Sequence, residues 1–381
     1  MTAGFSGNNL GMLVNGKQYR TIWTPAHKKW VNIIDQRFLP FRFVIEKIPS
    51  VSRMAAAIRE MHVRGAPLIG AAAAYGVYLA AREAAGKRLG DEFLEQSFGM
   101  LGATRPTAVN LRWALDLQRE ALAGAADIQG KCRRALETAE LIADRDEQRC
   151  REIGLVGLPL IREIASRRNG RQARAEAGAA RPLQVLTHCN AGALGCVDHG
   201  TATAPLYEAV RHGIPLHVWV DETRPRSQGR LTAWEMAAQG INHTIITDNS
   251  GGLLMRRGQV DLVIVGADRV AANGDTANKI GTYLKALAAY DNKIPFYVAL
   301  PTTTFDRDIA DGGKIPIEER DPDEVLYAEG LDRGRLRRVR LFGPGSTAAN
   351  HAFDITPARL ITGFITEKGI FTPNELARAL G

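Results

Sequence analysis

From Leu183 onward the chain repeats one pattern, and that pattern limits the folds open to it. Short apolar runs rich in β-branched residues alternate with helical stretches. The runs are Leu183–Thr187, Leu216–Val220, His243–Thr247, Leu262–Val265, Phe296–Leu300 and Leu360–Ile365. Runs that are apolar throughout, rather than at every second residue, suit strands buried on both faces. Their alternation with helices predicts a parallel, doubly wound, Rossmann-like sheet. The preceding half reads differently. Met54–Met61, Leu68–Arg82, Leu111–Leu122, Gln129–Arg145 and Gln148–Ser166 are rich in alanine and other helix formers, and Val31–Leu39 reads as a short strand and turn before them. A length of 381 residues exceeds what one core usually holds. The expected architecture is α/β: an N-terminal mainly helical domain with short strands over 1–165, an arginine-rich linker over 166–182, and a Rossmann-like domain over 183–381.

Charge and cysteines exclude several classes of function. The net charge is +8, but Ser166–Pro182 carries five Arg against one Glu and Leu331–Arg340 five Arg against one Asp. Those two segments, each +4, hold the whole excess, and neither is interleaved with aromatic residues for base stacking. They read as a solvated linker and a solvated helix face, with no nucleic-acid partner. The most apolar stretch, Leu68–Ala81, is too short to span a bilayer, so no membrane partner is expected. Met1–Leu13 lacks the charged and apolar regions of a secretory signal, and the expected location is cytoplasmic. Cys132, Cys150, Cys189 and Cys196 form no CxxC pair and are expected as free thiols. His188, His199, His212, His217 and His243 show no ligand spacing, so they read as hydrogen-bonded structural residues and no metal is expected.

Ligands of open α/β sheets sit outside the carboxyl ends of the strands. The first run here is followed by His188-Cys189-Asn190-Ala191-Gly192 and the second by Asp221-Glu222-Thr223-Arg224. Asp248-Asn249-Ser250-Gly251-Gly252, Gly266-Ala267-Asp268-Arg269 and Pro301-Thr302-Thr303-Thr304 follow the next three. Any one such loop serves as a helix cap. Five in turn, with a cysteine and several carboxylates, describe a cleft. No GxGxxG follows the first strand and no GxxxxGK[ST] occurs, so no nucleotide cofactor is expected. The cleft does hold parts for an anion. Arg64 in Arg64-Gly65-Ala66-Pro67 and Arg105 in Arg105-Pro106-Thr107 precede helices, and Lys279 is expected at the start of a helix Asn278–Ala289. Cys189 is either a small buried apolar residue or a thiol tuned by helix amides. Asp268 is either a structural acid paired with Arg269 or a general acid of raised pKa.

These residues carry a family resemblance. The segments are Ile34-Asp35-Gln36, Leu39-Pro40, Val63-Arg64-Gly65-Ala66-Pro67 and Arg105-Pro106-Thr107-Ala108-Val109-Asn110-Leu111. They continue with Leu186-Thr187-His188-Cys189-Asn190-Ala191-Gly192, Gln228-Gly229-Arg230-Leu231-Thr232-Ala233-Trp234-Glu235 and Asp248-Asn249-Ser250. The last are the run from Gly266-Ala267-Asp268-Arg269 to Asn278-Lys279-Ile280-Gly281-Thr282-Tyr283, and Phe353-Asp354-Ile355-Thr356-Pro357. From Val31 to Thr366 the chain resembles the methylthioribose-1-phosphate isomerase family, whose relatives include regulatory subunits of the initiation-factor exchange complex. It departs from the family at His351, where proline is expected, and in a longer arginine-rich linker and an extension Met1–Lys29.

The resemblance implies an aldose–ketose isomerase of 5-methylthioribose 1-phosphate in methionine salvage, without a cofactor and usually a homodimer. It implies Asp268 as catalytic acid and Cys189 as the second catalytic residue. Arg64, Gly65, Ala66, Arg105, Gln228, Asn278 and Lys279 are its implied substrate-binding positions. A change of sugar, to 5-deoxyribose 1-phosphate or ribose 1,5-bisphosphate, is the first alternative. A regulatory or scaffold subunit is the second, and such a subunit is expected to lack the Cys and Asp pair.

Overall fold

A computed structural model of the chain describes residues 11–105, 108–172 and 181–380. Its sheet domain is built on seven strands. From one edge the order is Gly369–Phe371, Gly363–Thr366, Phe296–Ala299, Leu262–Val265, Leu183–Thr187, Leu216–Asp221 and Asn242–Ile246. All neighbours run parallel except the terminal pair, where Phe364 opposes Phe371. In chain order this is the doubly wound arrangement, which reverses direction between Leu183–Thr187 and Leu262–Val265. Those two strands are buried on both faces, as their continuous apolar runs require. A second, four-stranded sheet joins Phe305–Asp306, Arg269–Ala271, Thr276–Lys279 and Phe353–Thr356 beside the reversal point.

The helical domain packs around Ala66–Lys87, where Ala71, Ala72, Ala73 and Ala74 are all fully buried. Methyl side chains let neighbouring helices approach closely at core density. Val51–Arg59, Asp91–Gly102 and Val109–Ala123 surround it, the second of these a helix that sequence patterning passed over.

Several expectations are corrected. Gln129–Arg145 and Gln148–Ser166 are parts of one helix, Ile128–Gln172, of 45 residues and about 68 Å at 1.5 Å per residue. Its first half puts Ala135, Ala139 and Ile142 into the core of the helical domain. Its second half puts Ile153, Leu158 and Ile161 under the sheet. The helix also consumes residues 166–172 of the expected linker; residues 173–180 of that linker lie outside those described, as do Met1–Leu10 of the extension and Pro106-Thr107. Leu331–Arg340 is no helix face. It belongs to an antiparallel hairpin, Tyr327–Asp332 with Arg335–Arg340, in which Arg333 and Gly334 turn the chain at positive φ. Asn278 and Lys279 end the strand Thr276–Lys279, and the helix after them begins only at Thr282. Gly281, at φ +103°, separates the two. The last run starts its strand at Gly363 rather than Leu360. Among the described residues no helix is long and apolar enough to cross a membrane.

Candidate active site

At the reversal point the two central strands diverge, and the chain leaves each with a functional loop. The loop after Leu183–Thr187 carries Cys189; the loop after Leu262–Val265 carries Asp268. Between them lies a narrow cleft that opens to solvent. Cys189, Asp268, Arg64, Gly65, Ala66, Arg105, Gln228, Asn278 and Lys279 all line it. The structure thus brings the nine residues implied as catalytic or substrate-binding to the walls of a single cleft, whereas the loops 221–224 and 248–252 do not line it.

Local chemistry holds each in place. Cys189 adopts φ +66°, a conformation costly to a side chain, and its backbone is pinned on both sides. Its N–H donates to Thr223 Oγ1 at 2.9 Å, and its carbonyl accepts from Thr232 Oγ1 at 2.8 Å. Buried Glu235 fixes the rest of the loop by accepting from the backbone N–H groups of Ala193 and Leu194 and from Asn190 Nδ2. Asp268 donates its N–H to Ala277 O at 2.9 Å, which ties it to the strand bearing Asn278 and Lys279. The Lys279 ammonium sits 4.8 Å from the centre of the Phe353 ring.

The helical domain supplies the opposite wall. Gly65, at φ +99°, meets Gly195 so closely that a Cβ there would overlap the Gly195 carbonyl. That contact presents the first turn of Ala66–Lys87, a source of unpaired N–H groups, to the cleft. Arg64 beside it is buried, and among the described residues its one hydrogen bond is to Gln36 Oε1 at 3.4 Å. Arg105 is held at 2.9 Å by Glu318, which also accepts from Arg320. Gln228 is 4% exposed, and its Oε1 is buried at the cleft wall with no hydrogen-bond partner among the described residues.

The electrostatics follow from burial. Desolvation pushes Asp268 above the usual carboxylate range, against the pull of Lys279 and Arg105. It likewise raises the Cys189 thiol and lowers Lys279. Arg64 is pushed down to about 9, first by burial and then by Arg226 and Arg230 nearby. At neutral pH that guanidinium is a charge in search of an anion. The cleft therefore holds a carboxyl and a thiol, both with raised pKa, among cationic side chains and apolar walls.

Sequence reasoning missed Arg226, Arg230, Glu318 and Arg320. The two arginines flank Gln228 within Arg226-Ser227-Gln228-Gly229-Arg230, which was a usable signal. Glu318 gave none, because it meets Arg105 across 213 residues of chain. Among the described residues, His188, Asp221 and Asp248 come close enough to share a cation. Lys285 Nζ, however, already lies 3.2 Å from Asp221, and both Asp248 oxygens accept backbone N–H groups from Thr223 and Arg224. That donor set is committed, and it suits an ammonium group better than a metal ion.

Fold and cleft together define a Rossmann-like α/β protein with a thiol, a carboxyl and several cationic side chains lining a cleft at its topological switch point. The model of the Initiation factor 2 subunit family matches residues 62–373, and the chain belongs to that family. It is 53% identical over 366 residues to a methylthioribose-1-phosphate isomerase of Brucella anthropi, covering 95% of this chain and 97% of the relative. Among solved structures it is similar to 5-methylthioribose 1-phosphate isomerase from Pyrococcus horikoshii, with TM-score 0.78 and 37% identity over 96% of this chain and 95% of that one. It is also similar to translation initiation factor eIF-2B, subunit delta, from A. fulgidus, with TM-score 0.75 and 37% identity over 95% of this chain and 99% of that one.

Proposed function

We propose that the chain is an aldose–ketose isomerase that converts 5-methylthioribose 1-phosphate to 5-methylthioribulose 1-phosphate, a step of methionine salvage. One observation carries the reading: Cys189 and Asp268 line the same switch-point cleft as Arg64, Arg105 and Lys279. The isomerase relatives support the choice of substrate.

The phosphate on O1 keeps the sugar ring from opening to a free aldehyde, so an acid must cleave the C1–O4 bond. Asp268, whose burial favours its protonated form, donates its proton to O4 as that bond breaks, leaving an oxocarbenium ion at C1. The hydrogen on C2 then moves to C1 with its electron pair, and C2–OH becomes the ketone by returning its proton to Asp268. A hydride route suits this cleft because the burial-raised Cys189 thiol is a poor base for a C–H bond. Cys189 then serves as a neutral, polarizable wall beside the migrating hydrogen, and the cationic groups hold the phosphate.

The test is turnover of 5-methylthioribose 1-phosphate in D2O, followed by NMR. Ketose without deuterium at C1 supports the hydride route; full incorporation would replace it with proton transfer through an enediol. No turnover by the folded protein would leave a regulatory role, as in the initiation-factor relatives. Next to Asp268 the cleft extends into a recess lined by Ile69, Ala108, Ala277 and Ile315 and also by Arg105 and Arg269. Turnover of 5-deoxyribose 1-phosphate and ribose 1,5-bisphosphate in the same assay would rank the alternative sugars.

The protein is further proposed to work as a cytoplasmic homodimer. The hairpin and the segment after it expose Leu331, Val339, Leu341 and Phe342, each 48–53% accessible, which is apolar surface suited to a partner copy. Light scattering that returns a monomer mass would remove that part of the proposal.

A further inference from the structure

His188 takes no part in the steps above, yet it is wholly buried one residue before Cys189. Both its ring nitrogens face acceptors. Nδ1 lies 2.8 Å from Asp221 Oδ2, and Nε2 lies 2.8 Å from the carbonyl oxygen of Ile280. A carboxylate and a carbonyl accept and do not donate, so the ring donates from both nitrogens. Asp221 is also wholly buried and lies between His188 and the Lys285 ammonium, 3.2 Å away. Asp248 stands farther off, at 4.0 Å from Nδ1, occupied by backbone donors. On the far side Asp354 accepts from the N–H groups of Gly281 and Tyr283, just after Ile280. Buried charges persist where they are paired; Asp221 Oδ2 meets both the His188 ring and the Lys285 ammonium, while its Oδ1 has no hydrogen-bond partner among the described residues.

The two acceptors of His188 belong to different parts of the cleft. Asp221 ends the strand next to that of Cys189. Ile280 follows Asn278 and Lys279, on the strand to which Asp268 is hydrogen-bonded through Ala277. The ring also fills the space in front of Gly281, where a Cβ would come within 3.0 Å of its Cε1. We propose that His188 is a positioning residue: its doubly donating ring ties the Cys189 loop to the Asn278–Ile280 segment and so fixes how far Cys189 stands from Asp268 and Lys279. The inference rests on the isomerase reading, because that distance matters most where a hydrogen crosses the cleft. A misplacement of about 1 Å costs on the order of 100-fold in rate.

In His188→Gln one donor group remains and one of the two bridges is lost. kcat is expected to fall about 10- to 100-fold, with KM changing less than about threefold. Asp221→Asn, which keeps the volume but weakens the grip on Nδ1, is expected to act in the same direction and less. Alkylation of Cys189 by iodoacetamide, followed on its own peptide by mass spectrometry, should change rate in both variants. In the wild-type protein the two ring N–H protons of His188 are expected as separate, slowly exchanging downfield NMR resonances, a readout that needs no variant to fold. Wild-type kcat and Cys189 alkylation in folded His188→Gln, or a single ring N–H in the wild type, would overturn the proposal. If the wild-type protein itself does not turn over the sugar phosphate, the isomerase reading fails instead, and alkylation and NMR still judge the tie.

Discussion

The two walls of the cleft differ in kind. The helical domain contributes permanent charge and backbone: Arg64, Arg105 and the helix start at Gly65-Ala66. The sheet domain contributes groups whose protonation is set by burial: Cys189, Asp268 and Lys279. On the proposed reading the hydrogen is moved from the sheet wall alone, while Lys279 on that wall joins Arg64 and Arg105 in holding the anion. That division says which kinetic constant each substitution should change, and it fails if the constants do not separate.

The sharpest break would come at Asp268. Asp268→Asn keeps the shape but removes the transferable proton, and kcat is expected to fall about 10³- to 10⁴-fold with KM little changed. The wild-type pH profile should agree. Only the protonated acid works, and its pKa is raised, so kcat/KM is expected to be highest on the acidic side. It should fall as pH rises through that raised value, and steady-state rates across pH would show whether it does. Cys189→Ala comes next, with kcat reduced about 100-fold in the same assay. On the other wall, Arg64→Ala removes a charge-assisted contact worth about 1.5–3 kcal/mol. It should therefore raise KM about 10- to 100-fold while sparing most of kcat; a kcat loss as large as that of Asp268→Asn would erase the distinction between the walls.

The smallest expected effect is on stability. Asp146 is buried on the long helix, accepts from Val197 N–H at 2.7 Å, and is pushed by desolvation up to about 7. Its folded pKa exceeds its unfolded one, so its contribution to stability is full below about pH 4 and is lost as pH rises through about 7. Asp146→Asn should flatten that decline without touching turnover, and urea unfolding at several pH values would measure it.

Much of this was legible in the chain. The apolar runs located six of the seven strands of the large sheet, and the polar residues after them located the cleft. Strand order was not legible, because parallel pairing joins segments far apart in sequence. Asn278-Lys279-Ile280-Gly281 reads as a helix start because it precedes good helix formers; the positive φ of Gly281 delays the helix by four residues, to Thr282. The basic hairpin was taken for a helix face because its two strands, mostly exposed, alternate no apolar pattern. The roles of Cys189 and Asp268 came with the family resemblance. The structure adds their place in one cleft and the burial that raises the pKa of both.

The helix Ile128–Gln172 was described above as one rod where two helices were expected. It lends side chains to both cores, so neither domain can lose its packing while the other keeps all of its own. Heating should accordingly melt the two domains as one cooperative unit, with a single calorimetric transition whose van't Hoff and calorimetric enthalpies agree. The cleft would then keep its two walls in register up to the temperature at which the whole chain unfolds.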